Sequence, residues 1–220
     1  MAEKEGARVV VRSASTFASI RCGLKPLALD AAGMPGSGRL LVVCGSHTEA
    51  SSRQLEQLER HTGEKPIVLP TKRLLAGEQA AVAEEIAARA VTRLNDGKLA
   101  IIATERVRLA EHGDLSVGAL VMKALTSVVR LLAPHCDGVI SKGGITSADV
   151  ATSGLGADSA FVAGQLEPGI SLWRLRPKPQ RRIGSGEREI PYCVVPGNVG
   201  DDGTLVRLTQ KYKSTGGASQ

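Results

Sequence analysis

Val139-Ile140-Ser141-Lys142-Gly143-Gly144-Ile145-Thr146-Ser147 is a short apolar run that breaks into a paired-glycine turn and then a helical pattern reaching about Leu155. Strand, glycine turn and helix in that order form the repeating unit of parallel sheets covered by helices. Paired glycines let the backbone approach a ligand closely. The first turn of the helix behind them offers N–H groups that lack intrahelical acceptors, a natural seat for an anion.

The same unit recurs on both sides of this stretch. Upstream, Leu40–Cys44 reads as a buried strand, followed by the polar turn Gly45-Ser46-His47-Thr48 and a helix through Leu55 and Leu58, with Ser46 and Glu49 spaced as a capping box. Residues 67–69 form a short strand between Pro66 and Pro70. Residues 78–94 place Val82, Ile86, Val91 and Leu94 on one helical face, and Asn95-Asp96-Gly97 stops that helix. A strand over 99–103 precedes a helix whose buried face is expected to be Val117, Val121, Ala124, Val128 and Leu132. Downstream come strand-like runs at 160–163, 170–175 and 192–195, the turn Gly197-Asn198-Val199-Gly200, and a last helix from Thr204 to about Tyr212. The rhythm predicts an α/β fold, a layered Rossmann-like sheet that is largely parallel with helices on both faces.

Composition agrees. Aromatic residues make up only 2% of the 220, so a core drawn from 42% hydrophobic residues must be built of Val, Ile, Leu and Ala, the palette of layered folds. No apolar run is read as nearing the ~20 residues that cross a bilayer, and the start Met1-Ala2-Glu3-Lys4-Glu5 is too acidic for a targeting peptide. A cytoplasmic protein is therefore the expectation. Cys22, Cys44, Cys136 and Cys193 are scattered, with neither C-x-x-C nor zinc-ligand spacing, and read as reduced thiols with no metal site. The formal charge of +6 points to an anionic partner. Arg174, Arg176, Lys178, Arg181 and Arg182 concentrate that charge among prolines and glycines, which reads as a solvated loop. Stacking aromatics are missing there except Trp173, so nucleic acid is the weakest reading.

Three strand-to-helix turns thus sit where open α/β sheets bind ligands: 45–48, 143–147 and 197–200. Gly33 to Gly38 has Walker-like glycine spacing, but Arg39 and Leu40 stand where Lys and Ser or Thr belong, and no dinucleotide fingerprint follows a strand. Ser46 and His47 are sequence neighbours rather than a dyad brought together by the fold. Asp201-Asp202 reads as a solvated carboxylate pair at a helix start.

Taken in order, these segments resemble the nucleotide-binding C-terminal half of the four-carbon acid sugar kinases. The resemblance rests on Arg12 to Phe17, Val42 to Thr48 with Gln54, Gly143 to Ser147, Glu167-Pro168-Gly169 and Pro196 to Gly200. It implies a nucleotide-binding domain over 30–213, a linking segment over 1–29 toward a sugar-acid-binding N-terminal half that is separate or deleted, and a flexible tail over 214–220. It also implies ATP and Mg²⁺ as cofactors, held at Ser46, His47, Lys142, Gly143, Gly144, Ile145, Thr146, Gly197 and Asn198, with adenine and ribose between the glycine turns. A homodimer is a further expectation, and Val9, Val10, Val11, Phe17 and Leu24 are expected to be under-buried without the other half. The family's Asp-Asp-x-Thr-Gly motif, which belongs to the sugar-binding half, does not occur here. Ile145 stands where the family commonly has Asp or Glu, and Val195-Pro196 replaces a Lys-Ser. These departures leave two readings open: the ATP-binding half of a sugar-acid kinase, inactive alone, or a non-catalytic nucleotide-sensing or interaction module.

Overall fold

The computed structural model describes residues 5, 6, 8, 10, 11, 13, 15–23, 38–106, 115–177 and 189–215. Its centre is a seven-stranded sheet: β1 (Leu40–Cys44), β2 (Ile67–Leu69), β3 (Ala100–Thr104), β4 (Gly138–Lys142), β5 (Ala157–Glu167), β6 (Ile170–Pro177) and β7 (Ile190–Val195), in the spatial order β2-β3-β1-β4-β7-β6-β5. The five strands from β2 to β7 are mutually parallel, and β6 and β5 close one edge in antiparallel fashion. The sequence expectation of a largely parallel sheet holds.

Alternation along the central strands feeds two separate cores. Leu41 and Val43 of β1, with Ala100 and Ile102 of β3, face α4 (Gln79–Asn95), α5 (Leu115–Leu132) and the π-turn Val150–Gly154. Leu40, Val42 and Cys44, with Ile101 and Ile140, face α2 (Glu49–Thr62) and α7 (Thr204–Thr215). Helices therefore cover both faces, and the central strands read as near-continuous apolar runs because neither side meets water. α2 and α6 (Gly144–Asp149), which follow the adjacent strands β1 and β4, leave toward opposite faces. That divergence opens a crevice at the carboxyl ends of the two strands, the place where sheets of this kind bind ligands.

Several local expectations need correction. The N-cap of α2 is Thr48, whose hydroxyl accepts from Ser51 N–H, so Ser46 and Glu49 form no capping box. At the start of α6 the N-cap is Gly143, which offers no side-chain bond, and Ser147 Oγ donates to the Gly143 carbonyl at 2.6 Å. A five-residue helix, α3 (Thr71–Leu75), lies where the sequence reading names no element. Arg174 and Arg176 belong to β6 instead of a loop, while 178–188 lie outside the described residues. Leu115–His135 is long and apolar enough to span a membrane by length and composition, contrary to the sequence reading. In the fold its second half, from Ala124 through Leu132, is core. Among the described residues ahead of the sheet, α1 (Ser15–Arg21) and the segment before it expose Val10, Val11, Phe17 and Ile20; Val9 and Leu24 lie outside them.

Candidate nucleotide site

Three turns meet above the crevice because their glycines allow it. A β-carbon on Gly45 would overlap the Thr146 side chain, one on Gly143 would sit 2.8 Å from Thr146 Oγ1 and 3.2 Å from Ser46 Cβ, and one on Gly197 would sit 2.7 Å from Ser46 Oγ. Gly143 also has φ +122°, a conformation that L side chains rarely adopt. These three glycines thus interlock the turns with one another. Gly144 differs: nothing among the described residues lies within 4 Å of where its β-carbon would be, and it faces an open cavity.

Hydroxyls bind the turns together. Thr48 Oγ1 donates to Gly197 O at 2.6 Å, Ser51 Oγ lies 3.1 Å from the same oxygen, and Ser51 Oγ also reaches Ser46 Oγ at 2.9 Å. Ser51 is fully buried, so this network fixes the third turn against the first from below. Gln54, equally buried, adds a bond from Nε2 to Val199 O.

Two cations stand behind the turns. Lys142 is buried beneath the cavity floor, where Nζ donates to Pro196 O at 2.8 Å and Val199 O at 3.0 Å. Burial pushes its ammonium down to about 8. Arg106 wraps the first turn, donating to Ser46 O and, at 2.7 Å, to Thr104 Oγ1. Among the described residues neither forms an ion pair with a carboxylate, so their positive charge is left to the surroundings of the turns.

The cavity has a volume of about 750 Å³, within the range of small-molecule sites. Of the residues singled out from sequence, Ser46, His47, Gly143, Gly144, Ile145, Thr146, Gly197 and Asn198 line it; Lys142 lies under it. His47 Nε2 is 3.4 Å from Thr104 Oγ1, and Ile145 is 77% exposed at the rim. Thr48 lines it too, within the first of the turns read from sequence, whereas sequence reading missed Thr71, Thr104, Glu105, Asp149 and the start of α5, all of which line the same space. Thr71 and Glu105 could have been found from position alone, since they follow the ends of β2 and β3. Glu105 accepts a bond from Thr71 N–H at 3.2 Å. The Asp201-Asp202 pair is engaged elsewhere, with Arg207 and Arg53 respectively.

The family model of the nucleotide-binding C-terminal domain matches residues 41–205, three quarters of the chain and all three turns. No curated protein matches significantly. Among solved structures, a Salmonella typhimurium LT2 protein provisionally designated a tRNA synthase is similar at a TM-score of 0.66 and 22% identity, over 82% of this chain and 42% of its own. A Haemophilus influenzae protein from a domain family of unknown function gives 0.65 and 18%, over 90% and 45%. A Bordetella bronchiseptica domain of that family, solved with bound citrate as a domain-swapped dimer, gives 0.61 and 22%, over 83% and 43%. At these identities the likeness is one of fold, and the chain spans less than half the length of each solved relative.

Proposed function

We propose that this chain, which belongs to the family of nucleotide-binding C-terminal domains, is the ATP-binding half of a kinase for four-carbon sugar acids of the threonate or erythronate type. The observation that carries the reading is the convergence of three turns, from the ends of β1, β4 and β7, on one cavity, with two cations behind it that pair with no carboxylate among the described residues. Gly144 leaves room for a phosphate at the start of α6, and Ser46, Thr48 and Thr146 bring hydroxyls to the same place.

ATP and Mg²⁺ fit the donor set unequally. The turns and the cavity volume suit a nucleotide. Among the described residues no group of three metal-ligating side chains exists, but Mg²⁺ commonly takes one or two carboxylates plus phosphate oxygens, and Asp149 and Glu105 line the cavity. When bound, ATP would supply the phosphoryl group and Mg²⁺ would neutralise its charge. The protein's own contribution is positional: rigid turns hold the phosphates, and Lys142 and Arg106 keep those turns in place. In this reading the acceptor acid belongs to a sugar-binding half, separate or deleted, toward which residues 1–29 lead, and the chain alone transfers little phosphate. In this reading the protein works in the cytoplasm.

Ile145 favours a second reading, a non-catalytic nucleotide-sensing module. Its apolar side chain projects at the rim where the resembling kinases place a carboxylate. Both readings require nucleotide binding, so the first experiment is calorimetric titration of the chain with ATP and Mg²⁺, repeated on Gly144→Val. Saturable binding weakened at least tenfold by the variant, with the circular dichroism spectrum retained, supports the site. A folded wild-type chain that binds no nucleotide sinks both. Phosphoryl transfer to threonate or erythronate when the sugar-binding half is added then separates kinase from sensor.

A further inference from the structure

The three turns account for only part of the cavity wall. Five parallel strand ends open on it, and the glycine turns follow β1, β4 and β7. At the ends of β2 and β3 stand Thr71, Thr104 and Glu105, and over them lie the first two turns of α5 with Leu115, Val117, Gly118, Val121 and Met122. Adjacent strands are about 4.8 Å apart, so this second region sits one to two strand widths from the hydroxyl-lined end.

That stretch of α5 is apolar and only partly committed to the core, against which Leu120, Val121 and Met122 pack from its edge. From Ala124 onward the helix buries Leu125, Val128, Val129 and Leu132, whereas Leu115 is 91% exposed and Val117, Val121 and Met122 are only half-buried. Gly118 sits among them. A mid-helix glycine costs about 1 kcal/mol against alanine. No atom of the described residues comes within 4 Å of its missing β-carbon, so the packing of α5 does not require glycine there. What the absent side chain leaves is a flat apolar surface facing the cavity.

Resting on the nucleotide reading above, we propose that the first two turns of α5, centred on Gly118, seat the nucleobase, which lies over this wall rather than between the glycine turns. A planar base has large apolar faces and a polar edge. The wall of Val117, Gly118, Val121 and Met122 takes a face, and the carboxylate of Glu105 together with the hydroxyl of Thr71 stands at the end of β2 and β3 to meet the edge. The phosphates then run toward Gly144 and Thr146. The division of the cavity into an apolar and a hydroxyl-lined end follows the division of the ligand.

Calorimetry on the full chain with two ligands tests this, because inorganic tripolyphosphate carries the phosphates of ATP without its base. Gly118→Leu fills the wall, and Gly118→Ala fills less while favouring the helix. The expected result is ATP affinity lowered at least tenfold by Gly118→Leu and less by Gly118→Ala, with tripolyphosphate affinity unchanged within twofold in both. ATP binding that neither variant alters overturns the seat and leaves the nucleotide reading standing. Equal loss of both ligands in Gly118→Ala, whose fold is the less disturbed, also overturns it. A wild-type chain that binds neither ligand overturns the nucleotide reading and the seat with it.

Discussion

Thr146 occupies the space that a β-carbon on Gly45 would need, so two turns separated by a hundred residues of chain are fitted to each other without a gap. Gly45→Ala should therefore lower stability by about 1–3 kcal/mol, the range for overpacking a filled site. Thr146→Ala made in the same chain should recover part of that loss. Denaturant unfolding of the two single variants and the double variant measures the coupling, and strict additivity would refute the contact.

The neighbouring glycines 143 and 144 should behave oppositely. Gly143→Ala forces a side chain into φ +122° and against Thr146, and should cost at least about 1–3 kcal/mol. Gly144→Ala meets open space in the first turn of a helix, so thermal stability should be kept or slightly raised, while nucleotide affinity falls. Melting curves and calorimetry on both variants separate the two effects.

Lys142 gives the stability a distinctive pH dependence. Its folded value is pushed down to about 8, below the ordinary lysine value near 10.4, so between those limits the unfolded chain binds more protons than the native one. The sign follows: stability contributed through Lys142 rises as pH increases from about 8 to about 10.4. In Lys142→Met this rise should vanish, even though the variant is less stable overall because Pro196 O and Val199 O each lose one of two donors, Val199 N–H and Gln54 Nε2 remaining. Unfolding free energies of both proteins across that window provide the check.

Substitution toward the residues of the kinases this chain resembles should be tolerated at one position and not at the other. Ile145→Glu is at an exposed rim and should fold normally. Val195 is fully buried in β7 and paired in register with Lys142 on β4, so Val195→Lys would set a second ammonium beside the first. We expect Val195→Lys to destabilise the chain by about 3 kcal/mol or more, and Val195→Lys with Lys142→Ser to recover much of it. Chemical denaturation of the three proteins decides.

From α7, Arg207 donates to both carboxylate oxygens of Glu167, at 3.0 and 2.8 Å, and holds that carboxyl below the usual range. The contribution is complete above the unfolded value near 4.3 and is lost as pH falls through the native one. Glu167→Gln should cost about 1 kcal/mol at pH 7, solvent on Arg207 limiting the effect, and nothing well below pH 4. A pH series of melting temperatures reads the difference.

The sequence revealed the elements that are buried on both faces. Leu40–Cys44 and the run from Leu99 are five-residue apolar blocks. α3 escaped notice because five residues after Pro70 give no period. Only part of β5 was recognised, since most of that edge strand is exposed and carries no inward alternation. Helical spacing put Val117 and Val121 on the face that holds Val128, but spacing alone does not say where the core stops and an open cavity begins. Ser46 was preferred to Thr48 as the cap of α2 because the spacing to Glu49 matched a motif; the actual cap answers to Gly197, 149 residues away.

That long reach sets a timetable for synthesis. Chains grow at about 5–20 residues per second, so the first turn emerges roughly 7–30 seconds before the Gly197 carbonyl that Thr48 and Ser51 will hold. Through that interval β1 lacks its finished surroundings, and Ser46, Thr48 and Ser51 have only water and one another to bond. Ligand-holding competence therefore arrives late and in one step, with the emergence of the last strand. A nascent chain stopped before residue 197 has a sheet but no cradle.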